Sequence, residues 1–272
     1  MDVEHKDLHQ DLNEEFAGET AERLQKVLAQ AGVASRRQVE RLIAEGRVTV
    51  NGEKVSVMGT KVSSGDAICV DGALIERSDK LYYYLLNKPV GVVTTARDPQ
   101  GRSTVVEIMQ GVPARVYPVG RLDFDTAGLL VMTNDGELAH RLMHPSYGVE
   151  KTYRVWVHGP VGINALEQLR QGVNLSDGKT APAKVVRRSG LQQRRTVAVD
   201  QKSDSFEVLE VTIHEGKNRQ VRRMLGAVGY PVVKLERIAF GPLNQERQLL
   251  PGNYRSLTKE EVQKLRALVG LT

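Results

Sequence analysis

Residues 118–142, PVGRLDFDTAGLLVMTNDGELAHRL, decide how the larger part of the chain is read. Gly128–Thr133 is a short, continuous apolar run bounded by turn residues, the pattern of a strand covered on both faces. Asn134-Asp135-Gly136 ends it as a turn, and the following residues predict a helix. Asp123 lies in the loop just before that strand, where a carboxylate has no structural need to be. Arg121 and Asp125 flank it, so a local ion pair is the plain alternative to a chemical role.

Outward from this segment, strands outnumber helices. KLYYYLLNKPVGVVTT predicts a strand-rich run broken at Lys88-Pro89 and Gly91. Three tyrosines in a row could offer a stacking platform, but alternation buries at least one or two, so a structural use is expected. RDPQGRST reads as a turn exposing Arg97 and Arg102. Residues 151–157, KTYRVWV, alternate as a strand, 161–171 suggest a helix, and 183–213 several strands with an exposed basic patch at Arg187, Arg188, Arg194 and Arg195. In NRQVRRMLGAVG, Asn218 is a candidate cap, and Val221, Met224, Leu225 and Val228 mark a buried stripe. Thr258 and Glu261 form a capping box with a Leu257–Val262 staple for a C-terminal helix. This order predicts an α+β fold with a mixed, mainly antiparallel sheet.

The chain has 272 residues, enough for one large and one small domain. No apolar run approaches the roughly 20 residues of a membrane-spanning helix. The acidic, polar start MDVEHKDLHQDLNEEF lacks the features of a secretory signal, and a cytoplasmic protein is expected. One cysteine, Cys69, excludes an internal disulfide and a cysteine-only metal site. Residues 1–22 hold eight acids and one base, and a disordered leader is expected over 1–21. Beyond residue 22, 37 bases stand against 25 acids. A body that basic favours a polyanion, because neutralising phosphates releases counterions.

Residues 22–75 predict two short helices on a small sheet. Leu24, Val27, Leu28 and Ala31 recur at helical spacing up to Gly32. Ser35 and Gln38 make a capping box for a helix with Val39, Leu42 and Ile43 on its apolar face. Asn51-Gly52 within VTVNGEKV is a strong hairpin signal, and AICVDG is a further strand. Arg23, Lys26, Arg36, Arg37, Arg41 and Arg47 crowd residues 23–48 against only Glu40 and Glu45. That is a phosphate-binding footprint or a merely solvated face. The string ERLQKVLAQAGVASRRQVERLIAEGRVTVNG resembles the S4 RNA-binding module, of αL-like fold. The resemblance implies that these bases grip RNA backbone phosphates. ERSDK, residues 76–80, reads as a linker to a catalytic domain over 81–257, with the terminal helix at 258–272.

Four segments in order, LNKPVGVVTT, PVGRLDFDTAGLLVMTNDGELAHRLMHPS, KTYRVWV and EGKNRQVRRMLGAVGYPV, resemble the RNA pseudouridine synthases that act on ribosomal RNA. With the S4 module the likeness spans residues 22–265; the acidic leader has no counterpart. It implies that Asp123 is the catalytic aspartate and that Tyr153 and Arg222 are its partners. Arg121 is expected at the flipped-out nucleotide, and Lys88-Pro89 shapes the site. Lys217, Arg219 and Arg223 are expected to contact RNA, with Lys217 and Arg219 the competitors of Arg222 for a place opposite Asp123. The isomerisation breaks N1–C1′, turns the uracil and rejoins it through C5, so no cofactor or metal is implied. An ionised carboxylate, an arginine favouring its charge and a flat tyrosine suit such chemistry on an extruded base. LMHPS and EGKNRQVRRM are most similar to the branch acting on large-subunit ribosomal RNA. Small-subunit RNA, and a non-catalytic RNA-binding or ribosome-assembly factor, are the rival readings. A monomer without an obligate protein partner is expected.

Overall fold

The computed structural model describes residues 21–77, 80–96, 98–188, 206–245 and 248–272. The chain divides into two compact units, one reaching to Tyr82 with residues 111–116, the other formed by 83–110 and 117–272. The division falls at Tyr82–Tyr83.

In the first unit, α1 (Leu24–Gln30) and α2 (Arg36–Ala44) precede β1 (Val48–Val50), β2 (Glu53–Lys54), β3 (Ile68–Val70) and β4 (Ala73–Leu74), all antiparallel in the order β2-β1-β3-β4. The Ser35–Gln38 capping box forms reciprocally. Asn51 and Gly52 take positive φ of 52° and 86°, the primed turn whose twist matches the flanking strands. Asp71 and Gly72 repeat it at 51° and 82° between β3 and β4, a second hairpin, with Asp-Gly at its turn, that the sequence reading missed. Leu24, Leu28, Val39, Ile43, Val48 and Ile68 close the core. Each is worth about 1.5–3 kcal/mol of transfer free energy.

The second unit is built on one large sheet. Its strands are β5 (Tyr83–Lys88), β6 (Thr126–Thr133), β7 (Lys151–His158), β8 (Lys184–Arg187), β9 (Phe206–Ile213), β10 (Val232–Phe240) and β11 (Tyr254–Ser256). The order is β8-β9-β7-β10-β6-β5-β11, with short strands at Tyr117–Pro118 and Leu243–Asn244 added at β6 and β10. Among the described strands of this sheet, the parallel ladder is that of β10 with β6, along Leu235–Arg237 and Thr126–Gly128. This is the expected α+β architecture. Helices α3 (Gly136–Met143), α4 (Ile163–Gln171), α5 (Gln220–Ala227) and α6 (Lys259–Leu268) accompany it. Asp135 caps α3, accepting from the Glu137 and Leu138 amides, and the Thr258–Glu261 box caps α6. Leu257 and Val262, its staple, are both buried. Val155, Val157, Leu166, Leu169, Leu209, Val211, Met224 and Leu225 form the core beneath α4 and α5.

Two local expectations are corrected. Asn218 does not cap α5: Arg219 occupies that position with φ 46° and no side-chain cap, while the Gln220 side chain accepts from the Lys217 amide. Tyr82, Tyr83 and Tyr84 are all buried, in keeping with the structural use expected of them. Arg187 and Arg188 are exposed but paired, with Glu207 at 3.0 Å and Glu210 at 2.7 Å, so they form no free basic patch. Arg97, Arg194, Arg195 and the acidic leader to residue 20 lie outside the described residues. Among the described residues no helix is long and apolar enough to cross a membrane.

Candidate active site

The loop carrying Asp123 is fixed at nearly every peptide. The Thr94 hydroxyl donates to the Leu122 carbonyl at 2.7 Å and accepts from the Leu122 amide at 3.2 Å. The Gly91 amide bonds the Phe124 carbonyl, and the Thr126 amide bonds that of Asp123. Lys88, fully buried, donates to the Thr126 and Pro89 carbonyls at 2.8 and 2.9 Å. The lysine of the Lys-Pro pair thus clamps the start of β6 behind the loop. Burial pushes the Lys88 ammonium down to about 8, although Asp123 and Asp125 pull the other way.

Asp123 opens on a cleft of about 250 Å³, shared with Arg121, Tyr153, Lys151, Arg219 and Arg237. Its carboxylate is 21% exposed. Tyr153 reaches the cleft from β7, half-buried against the core. Arg121 is exposed at the rim. A register shift between Thr152 and Tyr153 pairs Thr152 with Ala239 but Tyr153 with Arg237, leaving Ile238 as an extra residue on β10. This bulge lets Arg237 and Phe240, three positions apart, face the same cleft.

The cation next to Asp123 is Arg219, at 3.7 Å. Arg219 is held by a two-pronged pair with Asp125, at 3.0 and 2.8 Å. That bond holds the Asp125 carboxyl below the usual range and raises Arg219. The expectation that Arg222 faces Asp123 is thereby corrected. Arg222 donates to the Asp125 and Val232 carbonyls at 2.8 and 3.3 Å and lies 3.3 Å from the Asp125 carboxylate. Set within the first turn of α5 and largely buried, it braces the loop from behind, its pKa lowered by burial. Lys217 donates to the carbonyls of Asp177, Gly178 and Lys179, and Arg223 pairs with Asp177, so both secure the 174–179 hairpin against α5. Sequence reasoning missed Asp125 as an anchor, and Lys151 and Arg237 as cleft residues. The K-x-Y spacing could have flagged Lys151, since i and i+2 share a strand face.

In the other unit, Arg23, Arg36, Arg37 and Arg41 are exposed, while Lys26 pairs with Glu22 and Arg47 with Asp71 and Glu45. Among the described residues no cluster of three or more His, Cys, Asp or Glu could hold a metal ion.

A carboxylate clamped beside an arginine, facing a tyrosine in a basic cleft, defines a site for chemistry on an anionic, ring-bearing substrate. Residues 82–227 match the RNA pseudouridylate synthase family, and residues 22–68 match the S4 domain. The chain is 48% identical over 247 residues to the ribosomal large subunit pseudouridine synthase B of Bacillus subtilis, covering 91% of this chain and 96% of that protein. It is 44% identical over 256 residues to the protein of the same description from Pseudomonas aeruginosa, covering 92% of this chain and 63% of that one. A crystal structure of a pseudouridylate synthase superposes with a TM-score of 0.61 at 32% identity, over 89% of this chain and 99% of that chain. The chain belongs to the RNA pseudouridylate synthase family, and it is an RNA-modifying isomerase.

Proposed function

We propose that this enzyme converts a specific uridine of large-subunit ribosomal RNA to pseudouridine, with Asp123 as the catalytic residue. The observation that carries the reading is Asp123 itself: a carboxylate locked into the mouth of a basic cleft, 3.7 Å from Arg219, with Tyr153 in the same cleft. The target nucleotide leaves the RNA stack and enters the cleft, with Arg121 at the rim filling the space it vacates. The Asp123 carboxylate, beside Arg219, acts as nucleophile or base at the sugar and ring. The N1–C1′ bond breaks, the uracil turns, and C5 bonds to C1′. Overall a proton moves from C5 to N1, and no group is gained or lost. Tyr153 stacks its ring on uracil and can pass the C5 proton through its hydroxyl. Arg222 acts through Asp125 as a positioning residue.

The likeness to the large-subunit synthases of two bacteria supports the choice of RNA. The exposed arginines of residues 22–75, Arg23, Arg36, Arg37 and Arg41, would grip RNA phosphates. Acting on ribosomal RNA, the enzyme would work as a monomer in the cytoplasm. The test is Asp123→Asn in cells that carry only that variant, with pseudouridine mapped across their ribosomal RNA. Loss of one large-subunit site, with RNA binding kept near wild type, is the expected result. Persistent modification would overturn the assignment of Asp123. Loss at a small-subunit site would overturn the choice of RNA.

A further inference from the structure

Arg237 is a fully enclosed arginine, 2% exposed, and among the described residues no carboxylate pairs with it. Its Nε donates to the Leu129 carbonyl at 2.7 Å, and its guanidinium stands 5.1 Å from the Phe240 ring. One Nη nitrogen is buried with no hydrogen-bond partner. An uncompensated guanidinium in a protein interior costs several kcal/mol, so such a group normally meets an anion. Lys151 lines the same cleft, with its ammonium bound to the Val149 carbonyl at 3.1 Å. Burial, and after it the nearby Arg237, disfavours charge on that lysine, which falls to about 8. The cleft therefore holds two cations with which, among the described residues, no carboxylate forms an ion pair, while Arg219 and Arg222 are already engaged with Asp123 and Asp125.

We infer that Lys151 and Arg237 form a seat for the negative charge of the uracil ring once it has left the sugar. The inference rests on the isomerase reading of the cleft. When N1–C1′ breaks, the bond's electron pair goes to N1, and the charge spreads to O2 and O4 of the ring. A cation pair on the β7 and β10 faces can meet those oxygens while the ring turns between N1 and C5 attachment. The charge is discharged when C5 gives an electron pair to C1′ and the C5 proton ends on N1. Fixed cations in a low-dielectric cleft stabilise such charge without reorganising. The bulge at Ile238 serves this purpose, because it turns Arg237 and Phe240 to one side.

The experiment compares Lys151→Met and Lys151→Arg with wild type, using full-length protein and target RNA under single-turnover conditions. The substrates carry uridine or 5-fluorouridine at the target position. Fluorine draws electron density from the ring, so that ring bears the charge more easily on leaving. Lys151→Met should slow N1–C1′ cleavage on the order of 10²-fold, the scale for losing one donor to transition-state charge. RNA affinity should stay within about twofold, Lys151→Arg should recover most of the rate, and the loss should be smaller with 5-fluorouridine. Arg237→Lys, which keeps the charge in a buried place, should lose rate in the same pattern. Wild-type cleavage by Lys151→Met would overturn the inference. A fall in affinity equal to the fall in rate would place a phosphate on the lysine and overturn it too, as would equal losses on both rings. If instead Asp123→Asn retained conversion, the isomerase reading itself would fail, whatever Lys151 did.

Discussion

Lys88 is the sharpest test of the clamp behind Asp123, because a fully buried ammonium leaves a pH signature. In the unfolded chain it titrates near 10.5, and in the folded protein burial brings it to about 8. Between those values the unfolded chain holds a proton that the folded protein has released. Stability therefore rises as pH rises through this window, and the penalty is fully present below pH 8. Keeping the ammonium charged costs about 3 kcal/mol at pH 7 and less than about 1 kcal/mol at pH 10, a gain of roughly 2–3 kcal/mol across the range. Two other groups titrate nearby in pH. Lys151 moves in the same sense, while Tyr83, its phenol pushed far up by burial and by Asp135, works oppositely as unfolded tyrosine ionises. Both are present in wild type and in Lys88→Met, so the difference between the two proteins isolates Lys88. Trp156 is the single tryptophan and lies buried on β7, so its fluorescence follows the catalytic unit through urea unfolding. Measured at pH 7, 8, 9 and 10, the stability of wild type relative to Lys88→Met should climb by roughly 2–3 kcal/mol. A difference that stays flat, or falls with pH, would refute a buried, charge-strained Lys88.

Other outcomes follow from the same geometry. Asp125→Asn removes the charge that anchors Arg219 and lies against Arg222, so kcat should drop about tenfold or more with RNA affinity little changed; an unaltered single-turnover rate would show that Arg219 needs no such anchor. Gly128→Ala should destabilise the catalytic unit by at least about 2 kcal/mol, read as a lowered urea midpoint, because φ is +111° and an added Cβ would sit 2.2 Å from the Arg237 carbonyl oxygen. Replacing Arg36, Arg37 and Arg41 together by alanine should weaken RNA binding and flatten its log–log salt dependence by roughly 2–3. Equal slopes would mean that these arginines meet no phosphates.

Local physics explains what the sequence revealed of the fold. A capping box is a reciprocal contact across three residues, so Ser35–Gln38 and Thr258–Glu261 could be read directly and are present. Asn51-Gly52 fixed its hairpin because the turn needs positive φ at both residues. The same rule held at Asp71-Gly72, where the signal was overlooked. Asn218 misled for the converse reason: it has a capping side chain, but the chain turns left-handed at Arg219 and starts the helix there. Register over long separations had no such local signature. Neither the parallel pairing of β10 with β6 nor the extra residue Ile238 can be inferred from alternation within one strand.

At the site, motif order pointed to Asp123 and Tyr153, which line one cleft, but it could not assign the arginines. Arg219, Arg222 and Arg223 fall within five residues, and each has a different partner: Asp123 with Asp125, Asp125 alone, and Asp177. The partners lie far away along the chain, where spacing says nothing. Asp125 resolves the assignment. By taking the two-pronged bond of Arg219 itself, it leaves Arg219 near Asp123 without closing on it, 3.7 Å away against 2.8 Å. A direct two-pronged pair would have occupied both oxygens of Asp123 and withdrawn them from substrate. The flanking aspartate, which from sequence alone suggested only a local ion pair, is what holds Arg219 beside Asp123 while leaving that carboxylate open.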